Sequence, residues 1–274
     1  MTAAAPDRTP PVPPPWRLVA RNLPAHAGNP IHTDAGARAA GYPSALVAGV
    51  TVHAWLTHQA VVAWGDGWRR WGGGSVWFRR PVFDREEVTC VAAAAEADEA
   101  GALQVEARGG ADPLARAVLM ARPPDPAVPA PEPFPVTPRH DRLPADAAVL
   151  GAVEALGSVD AVLDGAWGAG YAADSGDDLA VYADGATVHP GVFLEAAHLA
   201  LTRNLGLTAW IHTASTYRHH GALLPVGTMV SVRNRVVDAA VRKGRDEIRL
   251  EVQLVADDRV VVSVDHRAII RLPG

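Results

Sequence analysis

The sequence predicts an α+β protein made of two copies of one unit, in which an antiparallel sheet wraps around one long buried helix. One apolar helix followed by four strands occurs twice along the chain, with a proline-rich segment between the copies. Equivalent positions lie 142 residues apart, as with Gly49 and Gly191 or Val88 and Val230. Internal duplication explains this spacing, and chance similarity between two α+β domains is the alternative.

The first unit is predicted to span residues 16–122, after a Pro- and Ala-rich segment, 1–15, that is disordered or draped over the surface. "WRLVARNL" predicts a strand before the helix. Apolar positions surround residues 49–65 almost completely, which indicates a buried helix that ends at Gly65. Partly alternating polarity predicts antiparallel strands in "GSVWFRRPVF", "EEVTCVAAAAEAD", "ALQVEARGG" and "PLARAVLMAR". "GGG" at 72–74 is interpreted as a flexible turn.

A linker over residues 123–144 carries nine prolines, so it can neither continue a helix nor donate along a sheet. We expect a semi-extended connector there. The second unit, 145–274, repeats the pattern with a helix over 191–206. Its predicted strands are "TASTYRHH", "GTMVSVRNRVVDAA", "DEIRLEVQLVA" and "RVVVSVDHRAIIRL".

One such unit leaves an edge strand and one side of its helix poorly covered. Pairing two units within a chain closes a joint sheet and buries both helices. A curved antiparallel sheet wrapped around a helix is the hot-dog fold. The sequence therefore predicts a double hot-dog, packed as a pseudo-dimer.

Composition excludes several classes of function. Hydrophobic residues make up 49% and charged residues 20% of the chain, which is typical of a globular protein. The net charge of −5 favours neither nucleic acid nor an anionic membrane as a partner. Cys90 is the only cysteine, and the adjacent histidines of "TYRHH" point to opposite faces of a strand, so we expect no metal site. Without a signal peptide or a membrane helix in the sequence, we expect a cytoplasmic protein.

A motif near the first helix resembles a known family. Asn29, Pro30, Ile31 and His32 form an Asn-Pro-x-His sequence, which Asp34, Ala35, Ala39, Gly41, Tyr42 and Gly49 follow. Together with "VWFRRPVF", these residues resemble the MaoC-like (R)-specific enoyl-thioester hydratases and dehydratases. The resemblance covers most of residues 17–122. It departs from the family at position 27, where the family has an aspartate and this chain has Ala27.

The resemblance implies roles for these residues. His32 would be the general base, Asn29 would order the loop, and the Gly49 N–H would hold the thioester carbonyl at the positive end of the helix dipole. Tyr42 and Val50 would contact the substrate.

The resemblance also implies an acyl-thioester substrate. It would be carried on coenzyme A or phosphopantetheine, with no further cofactor and with an acyl carrier protein as a candidate partner. Arg79 and Arg80 could receive the phosphates of the carrier, although solvated strand and loop ends are the default interpretation. A homodimer of double hot-dogs is a further expectation.

Four residues are candidates for the second acid or base that Ala27 does not supply. His26 could reach the site or lie in solvent on its loop. Asp34 could orient His32 or cap a short helix. His53 could face the pocket or the core, and Glu195, at the matching position of the second helix, could meet it between the units.

Three functions follow as hypotheses. The first is a hydro-lyase that hydrates 2-enoyl thioesters or dehydrates 3-hydroxyacyl thioesters. The second is an acyl-thioester binding protein without turnover, in which Ala27→Asp would restore a large activity. The third is a hot-dog thioesterase in which Glu195 activates water.

Overall fold

A computed structural model describes residues 10–96, 101–110, 112–122, 127–133 and 141–272, and it has the double hot-dog architecture. The first unit contains β1 (Trp16–Val19), α1 (Asp34–Ala39), α2 (Gly49–Trp71), β2 (Gly73–Phe78), β3 (Glu87–Ala94), β4 (Ala102–Gly109) and β5 (Asp112–Met120). The second contains β6 (Leu143–Pro144), α3 (Ala147–Leu150), β7 (Val159–Leu163), α4 (Ala169–Ser175), α5 (Val192–Asn204), β8 (Leu205–Gly206), β9 (Ile211–His219), β10 (Thr228–Arg242), β11 (Arg245–Ala256) and β12 (Arg259–Arg271).

Ten of these strands form one antiparallel sheet. Its order is β1-β3-β4-β5-β2-β9-β12-β11-β10-β7. Counted from either edge toward the centre, equivalent strands of the two units therefore occupy equivalent positions. In β3 the inward side chains alternate strictly, with Val88, Cys90 and Ala92 buried. This period of two places one face of each half against a helix. The matching order from both edges is what internal duplication predicts.

The two halves join where β2 pairs with β9. Gly73 and Gly74 lie in this joint, so the interpretation of residues 72–74 as a flexible turn was wrong. A Cβ on Gly73 would lie 2.4 Å from the carbonyl oxygen of Tyr217, and one on Gly74 would lie 2.4 Å from that of Val118. Glycine is therefore needed for β2 to fit between its two neighbours.

The helix α2 is longer than the sequence predicts. Gly65 has φ +55° and interrupts the helix, but helical turns resume beyond it and continue to Trp71. The prediction that the helix ends at Gly65 was wrong because a single left-handed glycine kinks the chain without stopping it. Trp68, in the added turns, is fully buried.

Both long helices are buried against the curved sheet. Trp55 and Leu56 of α2, with Phe193, Leu194 and Leu201 of α5, are at most 1% exposed. Helix α2 contacts β3, β4, β5 and β9, and α5 contacts β10, β11 and β12. In the part of the chain that the structure describes, no helix combines the length and apolar character needed to cross a membrane.

The two proline-rich segments are described in part. Pro10 and Pro13 are buried, and the Pro14 carbonyl accepts a 3.4 Å hydrogen bond from Gln59 Nε2, while residues 1–9 lie outside the described residues. In the linker, Glu132 bonds to Gln253 and Arg233 on the second unit. Linker residues 123–126 and 134–140 also lie outside the described residues.

Candidate active site

A cavity of about 610 Å³ lies between the two units and is lined by both of them. Its wall combines apolar side chains with many polar and charged ones. The apolar lining includes Ile31, Leu46, Val47, Val50, Val52, Phe78, Val82, Leu114, Trp167, Leu199, Leu205, Leu207, Trp210, Ile211 and Ile269. This size and lining are typical of a pocket for a small organic ligand.

The Asn-Pro-x-His motif forms a loop that is held onto the second unit. Pro30–His32 is a short 3-10 helix, and its N-cap residue, Asn29, accepts a 3.4 Å hydrogen bond from the Ile31 N–H. Asn29 Nδ2 also donates a 2.9 Å hydrogen bond to the carbonyl of Trp210 in the second unit. This contact fixes the position of the loop at the edge of the cavity.

His32 lies in the cavity wall with a defined tautomer. Its Nδ1 is 2.8 Å from the carbonyl oxygen of Leu46. Because a carbonyl only accepts, Nδ1 must donate, which leaves the lone pair on Nε2. The pKa of His32 is lowered to about 4, mainly by burial. The hydrogen bond to Leu46 opposes this shift, and the nearby His26 adds to it. His32 is therefore a neutral base at pH 7.

Glu195 of α5 enters the cavity from the second unit. Its Oε1 lies 3.2 Å from His26 Nε2, although the two residues are 169 positions apart in sequence. The His26 ring centroid is 5.8 Å from that of His32, and all three side chains line the cavity. The His26 side chain is only 9% exposed, so the alternative of a loop histidine in solvent was wrong. The structure thus brings a carboxylate close to His32 from the other half of the chain.

Asp34 lies outside the cavity lining. Its carboxylate pairs with Arg38 and accepts a 2.9 Å hydrogen bond from the Ala45 N–H, so the hypothesis that it orients His32 was wrong. The helix cap is Thr33, whose Oγ1 accepts from the Gly36 N–H at 3.1 Å. Asp34 is the first residue of that helix, one position too late to cap it.

His53 belongs to the core. It is fully buried, lies edge-on to Tyr217 with 4.9 Å between ring centroids, and does not line the cavity. Burial, followed by His219 and His189, lowers its pKa to about 3. The expected pairing with Glu195 was wrong, because Glu195 contacts His26 instead.

The N-terminus of α2 opens onto the cavity, where Gly49 and Val50 line the wall. The first N–H groups of a helix have no acceptor within the helix and carry partial positive charge. A Cβ on Gly49 would lie 3.3 Å from the Phe78 ring, which is tight. At the equivalent start of α5, the Gly191 N–H donates to His189 Nδ1 at 3.0 Å, so this donor is already used.

Tyr42 and five arginines complete the lining. Arg79 and Arg80 are exposed at the cavity, as the sequence suggests, and Arg80 also pairs with Asp112. The linker adds Arg142 and the second unit adds Arg203 and Arg245, and sequence reasoning missed all three. Sequence reasoning also missed His198 and His212; the Glu195-x-x-His198 spacing on one helix was the available signal for the first of them.

Comparisons with known proteins show the fold. A double hotdog protein from Mycobacterium tuberculosis is 18% identical, with 96% of each chain covered and a TM-score of 0.57. A candidate MaoC domain protein dehydratase from Chloroflexus aurantiacus is 14% identical over 89% of this chain and 88% of that one, with a TM-score of 0.53. A candidate thioesterase from Novosphingobium aromaticivorans is 14% identical over 83% and 89%, with a TM-score of 0.50. No protein-family model and no curated protein sequence matches the chain.

The buried histidines predict acid lability. His53, His219 and His266 are at most 1% exposed, and burial lowers their pKa values to about 3, 4 and 4. Their unfolded pKa is about 6.5, so below that pH the unfolded chain binds more protons than the folded one. This contribution to the free energy of unfolding should be nearly constant only above about pH 7.5. It should fall at lower pH, and below about pH 5.5 it should approach a slope of about 1.4 kcal/mol per histidine and pH unit, until pH 4 is reached.

Urea unfolding at pH 7.5, 6.5 and 5.5 measures this dependence. Three such groups together lose roughly 3 kcal/mol between pH 6.5 and 5.5, which is large against a typical stability of about 5–15 kcal/mol. His53→Gln should reduce the slope of the free energy of unfolding against pH by the contribution of one histidine. Equal free energies of unfolding at pH 7.5 and 5.5 would contradict the burial of neutral imidazoles.

Proposed function

We propose that this protein is a hydro-lyase that interconverts 3-hydroxyacyl and 2-enoyl thioesters. The observation that carries the proposal is the cavity shared by both units. It holds a neutral imidazole whose Nε2 lone pair has only a long, 3.4 Å contact with Asn29 Nδ2, a carboxylate paired with a second imidazole, and the start of a helix. Addition or removal of water needs a base, an acid and donors for an enolate-like oxygen.

In the direction of dehydration, His32 Nε2 takes the proton from C2 of the substrate. The Gly49 N–H stabilises the negative charge that develops on the thioester oxygen. The Glu195–His26 pair gives a proton to the 3-hydroxyl group, which leaves as water while the C2–C3 double bond forms. Loss of the C2 proton from His32 to solvent and uptake of one proton by the Glu195–His26 pair then restore the site, and hydration is the reverse.

Further features support a thioester substrate. The apolar part of the wall can hold an acyl chain, and five exposed arginines lie around it: Arg79, Arg80, Arg142, Arg203 and Arg245. Guanidinium groups bind phosphate well, and coenzyme A and phosphopantetheine both carry phosphates. An acyl carrier protein, as a bearer of phosphopantetheine, would present the same phosphate to these arginines.

The test is hydration of crotonyl-CoA by the purified protein. Hydration is monitored as loss of the enoyl absorbance, and release of free thiol is measured in parallel. The proposal expects His32-dependent loss of the enoyl group without free thiol. Thermal stabilisation by crotonyl-CoA with no turnover would instead favour the binding protein.

A thioesterase is the second candidate, because Glu195 lies in the same cavity as the start of α2. There the carboxylate would activate water against a thioester carbonyl held by the Gly49 N–H. This function requires release of free CoA that Glu195→Gln abolishes. Hydration without thiol release would exclude it.

Ala27→Asp should change the activity little, contrary to the large gain that the sequence suggests for a site that lacks an acid. Ala27 is exposed and does not line the cavity, so an aspartate there would face solvent while Glu195 already lies inside. We expect crotonyl-CoA hydration within a few-fold of wild type. A gain on the order of 10² would show that position 27 reaches the substrate.

A further inference from the structure

We propose that His198, His212 and His266 form a binding site for a divalent transition-metal ion of the zinc class in the wall of the cavity. One ring nitrogen of each histidine lies within 4.8 Å of one nitrogen of each of the others. The ring centroids are 5.0 Å apart for His198 and His212, 4.9 Å for His198 and His266, and 4.4 Å for His212 and His266. The three rings thus face one small volume.

A β-bulge builds this cluster. Between β9 and β12, His212 pairs with Ala268 and Ala214 pairs with Arg267, so β9 has one extra residue, Thr213. Without it, His212 and Ser215, three positions apart, would lie on opposite faces of the sheet. With it, both side chains are buried on the same side as His266, which pairs with Ser215.

One nitrogen of each ring is buried without a hydrogen-bond partner. These atoms are His198 Nε2, His212 Nδ1 and His266 Nε2. Buried polar atoms normally have partners, and three such atoms in one cluster are unusual. A cation would accept the lone pairs of all three.

Ser215 supports the lone-pair arrangement that a cation needs. Its Oγ lies 2.8 Å from His212 Nε2 and 3.0 Å from His266 Nδ1. A hydroxyl oxygen can accept from two N–H groups. If both rings donate to it, their other nitrogens carry lone pairs toward the centre of the cluster, which is the usual role of a hydrogen-bond partner behind a histidine ligand.

The chemistry of the donors selects the ion. The three donors are buried imidazole nitrogens. Imidazole ligands suit zinc and its neighbours rather than calcium or magnesium, which prefer oxygen. Zinc–nitrogen bonds of about 2.0–2.1 Å place ligand nitrogens roughly 3.4 Å apart, so small side-chain shifts from the present spacing suffice.

His198 and His212 also line the cavity, so a fourth ligand would come from it, as water or a substrate oxygen. A second polar cluster shows the contrast. There His58 Nδ1 lies 2.9 Å and His189 Nε2 lies 3.0 Å from the two oxygens of Asp177. Because those groups satisfy one another, that cluster needs no ion.

The test measures metal binding without substrate, so its failure would leave the hydro-lyase proposal standing. Wild-type protein is stripped with a chelator and titrated with Zn²⁺ by calorimetry, and the dialysed complex is analysed for metal content. Co²⁺ is then added as a spectroscopic probe. We expect one ion per chain and the strong visible absorbance of a four-coordinate cobalt site.

Variants identify the ligands. His266→Gln should weaken Zn²⁺ binding by at least about 10²-fold, and Ser215→Ala, the milder change, by about 10–100-fold. His53→Gln, a buried histidine outside the cluster, should bind as wild type does, and circular dichroism checks that each variant folds. If His266→Gln does not fold, Ser215→Ala decides. Wild type that binds less than one ion per chain, or folded His266→Gln or Ser215→Ala with unchanged affinity, would overturn the site.

Discussion

Replacing His32 by glutamine is expected to lower kcat/KM for hydration of crotonyl-CoA by about 10²–10⁴-fold. A glutamine amide can still donate to the Leu46 carbonyl, which His32 Nδ1 contacts at 2.8 Å, so the loop should keep its position. It offers no basic nitrogen in place of Nε2. The loss should therefore be in proton transfer and not in folding.

His53→Gln is the matched control for this prediction, since it makes the same substitution at a buried histidine outside the cavity. We expect it to keep hydration near the wild-type rate at pH 7.5. If His32→Gln stays within a few-fold of wild type while folded, His32 is not the base.

The second large effect is expected for Glu195→Gln, which should lower the same kcat/KM by about 10²–10⁴-fold. Glutamine has the size of glutamate and can keep the contact with His26 Nε2, now 3.2 Å from Oε1. It cannot take up or release a proton, so the hydroxyl group would leave or arrive without acid assistance. KM should change much less than kcat.

Asp34→Asn provides the control for the carboxylate. Asp34 lies beside the same motif in sequence but outside the cavity, where it pairs with Arg38. Its removal should cost little activity. If folded Glu195→Gln hydrates crotonyl-CoA at the wild-type rate, Glu195 does not supply the proton to the 3-hydroxyl group.

The architecture follows from the sequence because its causes are local and repeated. Apolar positions all around 49–65 require a buried helix, alternating polarity requires strands, and the spacing of 142 residues relates the two copies. Details that depend on packing between distant segments were wrong or missed. Glycines 72–74 resemble a turn in sequence, and only the close approach of β9 and β5 shows that Gly73 and Gly74 begin a strand.

The site shows the same division. The Asn-Pro-x-His loop and the start of α2 are visible in the sequence, and both line the cavity. The His26–Glu195 contact joins residues 169 positions apart, so no local pattern reveals it. The histidine cluster depends on one extra residue in β9 that reverses the alternation of side chains, and without that bulge the sequence predicts that His212 and Ser215 lie on opposite faces.

The most direct test of one site shared by two units is the hydration rate of the double variant, His32→Gln with Glu195→Gln. Groups that act together on one substrate lose much less on the second substitution than on the first. We therefore predict a crotonyl-CoA hydration rate close to that of the slower single variant. A double variant whose rate falls by the product of the two single-variant factors would contradict it. A wild-type protein that does not hydrate crotonyl-CoA would contradict it as well.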